Sequence, residues 1–233
     1  MKTERFNQTN HRRGFLSSLA AGATVLGLSP FATHFNVKAE TQSALPPVSD
    51  ADAWFNQIKG KHRMVFDATH PHEVFPFAWP RVFLSTNVGS GTTEKDCTAV
   101  VVLRHTAMAY AFENKVWEKY NFGGVFKVED QSTKAASKYN PFWQPPVGHY
   151  KIPGIGDVAI GINELQESGV MFCVCDVAIT VYSTVVAENM KKDAAEVKRD
   201  WLDGLLPKIQ VVPSGVWGLG RAQEHGCSYC FTG

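Results

Sequence analysis

The residues of this chain best suited to covalent or acid–base chemistry are its five cysteines and a few of its eight histidines. Two of the cysteines lie in Gly169-Val170-Met171-Phe172-Cys173-Val174-Cys175-Asp176, whose uncharged centre predicts a buried strand. A helix-compatible run, Val177-Ala178-Ile179-Thr180, starts at once. Cys175 therefore stands where a strand ends and a helix begins, the edge at which ligands collect in open parallel sheets. A thiolate there is favoured by the helix dipole and by free N–H groups. Such a thiol could carry sulfane sulfur or exchange with a disulfide. Asp176 opposes that effect, and the competing expectation is a small buried residue filling space.

Cys173 shares a strand face with Cys175 and is expected in the core; parallel side chains two apart cannot close a relaxed disulfide. Cys227-Ser228-Tyr229-Cys230 is a CxxC that follows a helix and should lie on a strand, with its cysteines on opposite sides. A zinc site needs about four ligands, and this pair with His225 supplies three. His70-Pro71-His72-Glu73 follows a strand and is open to a metal or general-base role, against a plain polar turn. His105 ends another strand as an acid–base or orienting group, and Arg104 beside it could neutralise an anionic thiolate or substrate.

The elements that must position these residues alternate between strand and helix. Strands are expected at 63–68, 98–103, 170–175, 209–212 and 227–231. Helices are expected at 81–86, 107–120, 155–167, 177–190, 193–205 and 216–224. That alternation implies right-handed crossovers and a mainly parallel five-stranded α/β sheet with helices on both faces. Residues 128–153 hold four prolines and four aromatics and predict an insertion, with Phe142 and Trp143 as a lid, a subunit contact or simple loop packing.

The start of the chain has the layout of an export signal. Arg12-Arg13-Gly14-Phe15-Leu16 precedes an uncharged run from Leu19 to Phe31, and Val37-Lys38-Ala39 offers a cleavage site. Residues 1–39 are thus expected as a twin-arginine type signal peptide, 40–61 as a leader or linker and 62–233 as the domain. Cleavage would remove five of 23 basic and one of 22 acidic residues, leaving a net charge of −3. No basic surplus points to nucleic acid or an anionic membrane, and no later run is long and apolar enough for a stable anchor. Walker, dinucleotide-binding, zinc-protease and nucleophile-elbow motifs are absent, so no cofactor is implied.

Four pieces, in order, resemble the DsrE/DsrF-like (YchN-like) sulfur-handling family: 98–105; 109–111 with 117–120; 165–175; and 212–216 with 221–226. The resemblance covers 62–233 apart from the insertion. It implies a small α/β sandwich around a parallel sheet, assembled into a homo-oligomer, with a persulfide-carrying cysteine at the position of Cys175. A usual His-Gly is Arg104-His105 here. The resulting expectation is a periplasmic protein of sulfur or thiol chemistry with Cys175, His105 and Arg104 as its site. Its partner would be a sulfur donor or acceptor protein or a small thiol. Two alternatives stand beside it: a non-catalytic oligomeric small-ligand-binding module, and a small metal-binding protein using His70, His72 and a cysteine.

Overall fold

The structure is a computed structural model and describes residues 48–130 and 133–233. The expected signal peptide lies outside the described residues. Helix α1 (Val48–Trp54) runs into a 3-10 turn (Phe55–Gln57), followed by β1 (His62–Ala68), α2 (Phe75–Gly89) and β2 (Cys97–Leu103). A 3-10 segment (His105–Ala111) then leads to α3 (Asn114–Tyr120) and α4 (Phe122–Phe126). After the insertion and its hairpin β3 (Lys151–Ile152)/β4 (Gly156–Asp157) come α5 (Ile162–Glu167), β5 (Met171–Cys175), α6 (Asp176–Met190) and α7 (Ala194–Leu202). The chain closes with β6 (Ile209–Val212), α8 (Gly215–Glu224) and β7 (Ser228–Phe231).

Five strands form one parallel sheet in the order β6-β5-β2-β1-β7. The expected α/β class and five-stranded parallel sheet are therefore present. Alternation along the strands splits the core in two. Phe66, Val101, Leu103, Phe172 and Val174 face the larger core, with α2, the 3-10 segment and the helices that follow β5. Val65, Val100, Val102, Cys173 and Val212 face Phe55, Ala222 and Cys227 on the other side. No helix of the described residues is long and apolar enough to cross a membrane.

Several expected boundaries move, each for a physical reason. The leader reading of 40–61 is corrected from residue 48 onward: Ala51 and Phe55 are fully buried against the sheet, so this stretch is part of the core. Helix α2 begins at Phe75, not after Pro80. Pro76 occupies the second helical position, where no N–H bond is lost, and only Pro80 gives one up inside the helix. The helix expected over 107–120 is a 3-10 segment and a separate α3, because Phe112 and Glu113 turn extended and Phe112 bridges to Leu205. Over 155–167 only the last six residues are helical; Gly156–Asp157 pairs with Lys151–Ile152 instead.

The insertion is packed down. Phe142 is buried, 4.1 Å between centroids from Phe77 and stacked at 5.0 Å on Tyr150. Asn140 donates to the Tyr110 and Phe112 carbonyls at 2.8 and 3.0 Å. Gly123 is required where it stands, since a side-chain carbon there would run into the Ser137 backbone. If α1 and its 3-10 turn belong to the core, Phe55→Ala costs about 3–5 kcal/mol in urea unfolding. A midpoint shift no larger than that of an exposed control such as Gln57→Ala would return this stretch to the status of a linker.

Candidate functional site

The C-terminal ends of β1, β2 and β5, flanked by β6 and β7, carry the residues with chemistry. Asp67 lies near the end of β1 and is almost wholly buried. A buried carboxylate needs partners, and it has three donors. Arg104 grips it bidentately, Nε to Oδ1 at 2.6 Å and Nη2 to Oδ2 at 2.9 Å, and Tyr229 of β7 donates to Oδ2 at 2.8 Å. The Asp67 carbonyl accepts from the Thr232 amide and hydroxyl, each at 3.0 Å. The hydrogen bond to Asp67 raises the Arg104 pKa further, so the guanidinium is a fixed cation. Its stem lies against Gly215 at the start of α8, where any side chain would collide with it. The expected free cation beside Cys175 is therefore engaged by Asp67, while remaining close enough to Cys175 to interact with it electrostatically.

Cys175 ends β5, opposite Val212, and is the N-cap of α6. Its Sγ accepts from the Ala178 N–H at 3.3 Å, so a free amide of the first turn points at sulfur as the spacing predicts. The side chain is buried, with the residue 6% exposed. Asp176 follows, and its opposing charge is met by Lys198 of α7 at 2.9 Å, with Thr180 as that lysine's second acceptor at 2.8 Å. A helix N-terminus favours a negative group by about 0.3–2 kcal/mol, and the Lys198 pairing reduces the opposing charge of Asp176.

His105 adopts a left-handed backbone, φ +48°, directly after Arg104. Its Nε2 lies 3.0 Å from the Tyr182 hydroxyl, two turns along the helix that Cys175 caps. No hydrogen bond joins His105 to Cys175, so α6 is the link between them. Desolvation, the nearby His70 ring and the Arg104 charge lower the His105 pKa, against a hydrogen bond to the Thr69 backbone, and favour the neutral base. His70 sits at the same edge, its ring centroid 6.3 Å from that of His105 and its Nδ1 2.6 Å from the Thr69 hydroxyl.

Other expectations meet the structure less directly. Among the described residues no group of three or more His, Cys, Asp or Glu side chains is placed to hold a metal, so the set of His70, His72 and a cysteine is not assembled. His72 instead reaches the Thr232 carbonyl at 3.4 Å. All five cysteines are unpaired thiols. Cys227 and Cys230 pack on opposite sides of the sheet. Burial pushes the Cys227 pKa to about 11, that of Cys173 much further up, and those of Cys97 and Cys230 upward as well. Asp67, Tyr182, Lys198 and Tyr229 were not singled out from sequence. Only Asp67 left a signal there, a carboxylate directly after the apolar run Met64-Val65-Phe66.

No family model matches the chain, and no curated protein matches it. Among solved structures, a protein of unknown function from Methanobacterium thermoautotrophicum is similar at a TM-score of 0.38 and 15% identity, over 73% of this chain and 99% of that one.

Two outcomes are expected from this geometry. Asp67→Ala strands Arg104 and frees Tyr229, and costs about 3 kcal/mol in denaturant unfolding. In an NMR titration His105 protonates below its ordinary 6.5, and His70→Ala moves that midpoint upward by removing a like charge. The linked stability has a definite sign: the His105 contribution is complete above pH 6.5 and is lost as the pH falls from 6.5 through the lower folded value. A His105 midpoint at or above 6.5 in the wild type would contradict this account.

Proposed function

We propose that this protein is an exported, DsrE-like handler of sulfur or thiol groups that works in the periplasm through Cys175. The observation that carries the proposal is the Ala178 N–H aimed at the Cys175 sulfur at the end of β5, with Asp176 already paired to Lys198. In the step envisaged, the Cys175 thiolate attacks the outer sulfur of a donor persulfide, R–S–SH. A Cys175 S–S bond forms, the donor S–S bond breaks, and the donor leaves as thiolate with the bonding pair, so no net oxidant is consumed. His105, neutral and hydrogen-bonded to Tyr182, is the candidate proton acceptor at this edge, and Arg104 the fixed positive charge. The donor or acceptor is a second protein or a small thiol, and the functional unit is a homo-oligomer, as the family resemblance implies.

Burial of the Cys175 side chain favours a second reading, a ligand-binding module in which the cysteines only pack. Intact mass of protein purified from the periplasm separates the two. For the sulfur carrier, wild type shows an added mass of about 32 Da that reductant removes and that Cys175→Ala lacks. No adduct, with all thiols resisting alkylation until unfolding, would reject the carrier in favour of the binding module. The same spectrum reads the mature N-terminus and so tests export.

A further inference from the structure

A cleft of about 560 Å³ opens beside the insertion, within the size range of small-ligand sites. Its floor includes Tyr110 and Phe142, and Glu73, Glu129, Lys127 and Lys134 stand around it. Tyr110 is the unusual residue here. The chain has six tyrosines, and five direct the hydroxyl to a partner: Tyr120 to Asp200, Tyr139 to Asp130, Tyr150 to the Pro141 carbonyl, Tyr182 to His105 and Tyr229 to Asp67. Tyr110 is 1% exposed, yet among the described residues its hydroxyl has no hydrogen-bond partner. That hydroxyl is not among the fully buried unpartnered atoms, so the small exposed part of the residue lies at the cleft. Its position is not slack: the ring packs against Phe77 and Phe142 at 5.2 and 5.3 Å, and Asn140 holds its carbonyl.

The charges around the cleft are uncommitted too. Seven ion pairs form among the described residues, and none involves Glu73, Glu129, Lys127 or Lys134. Both signs thus face one cleft with a phenol at its base. Three of these four residues (Glu73, Lys127 and Lys134) hold left-handed backbone, at φ +49°, +59° and +58°. At Lys127 it is the C-cap of α4, and at Glu73 and Lys134 it is an uncommon conformation for a residue with a side chain.

We infer that this cleft binds a small zwitterion of the amino-acid or short-peptide class. Its carboxylate would meet Lys127 and Lys134, its ammonium group Glu73 and Glu129, and an acceptor atom the Tyr110 hydroxyl. An apolar side chain would lie against the half-buried Pro71 and Val74. The site stands apart from the thiol chemistry of Cys175, and its test does not depend on that chemistry.

The test is calorimetric titration of the purified protein with L-phenylalanine, L-methionine and glycyl-phenylalanine. Phenylpropionate, which lacks the ammonium group, and phenethylamine, which lacks the carboxylate, serve as comparison probes. At least one zwitterion should bind saturably, with each comparison probe about tenfold weaker or more. Tyr110→Phe and the Lys127→Ala/Lys134→Ala pair should each weaken binding about tenfold while leaving the unfolding midpoint near that of wild type. Three results would each overturn the assignment: no saturable binding of any zwitterion up to about 10 mM, equal binding of the two comparison probes, or binding unchanged in both variants.

Discussion

The end of the sheet is organised by the demand of one buried carboxylate. Asp67 lies inside the sheet at a point where water is excluded, and a carboxylate there is tolerable only if its oxygens are satisfied. The planar fork of Arg104 satisfies both oxygens at once, which a lysine could not do. Three consequences follow from that pairing. The segment leaving β2 is held across the end of β1. The chain must then turn sharply, and His105 takes up the left-handed backbone that turns it. Tyr229 and Thr232 bind the same residue, so the last strand is secured by the same group. The orientation of His105 toward Tyr182 is thus downstream of a charge pair whose carboxylate is buried and whose guanidinium is partly exposed.

The two cores divide the labour around this edge. The larger one, with its cluster of Trp201, Phe122 and Phe112, fixes α6 and α7 against the 3-10 segment. That packing sets Lys198 against Asp176 and Tyr182 against His105, because α6 carries Asp176 and Tyr182, α7 carries Lys198 and the 3-10 segment carries His105. The smaller core seats Cys173 beneath α8, where Ser214 caps the helix by accepting from Trp217. Burial there holds Cys173 as a thiol, and the two cysteines of one strand are left in different chemical settings only two residues apart.

The inner strands were legible in the sequence because each holds a short, uncharged run bounded by turn or polar residues, as in Thr98–Leu103 and Val170–Cys175. Cys175 as a helix cap was legible for the same reason: the change from strand to helix period falls on it. The misjudged helices have separate causes. Pro76 looks like a breaker but stands in the first turn, where a helix loses little, and Pro80 gives up one hydrogen bond inside a helix that continues past it. The break at Phe112 is set by a bridge to Leu205, which no local pattern encodes. The partners of the site were less legible still. Arg104 meets Asp67 across 37 residues, Tyr182 meets His105 across 77 and Lys198 meets Asp176 across 22. Each is a property of the assembled sheet and its helices. The burial of Phe55 was hidden by the proline-rich, polar stretch that leads up to it.

The pairing of β1 with β7 places the first strand of the sheet beside the last, and Tyr229 reaches Asp67 across 162 residues. On the ribosome, β1 must therefore wait through the synthesis of nearly the whole domain before its outer edge is covered. During that interval the Asp67 carboxylate lacks one of its three donors, and the backbone of β1 offers an open edge to other chains. Contacts so distant in sequence also belong to the slow-folding class of topologies. Completion of the sheet is in this sense a checkpoint on synthesis, since the strand that closes it arrives only after every other strand has been made.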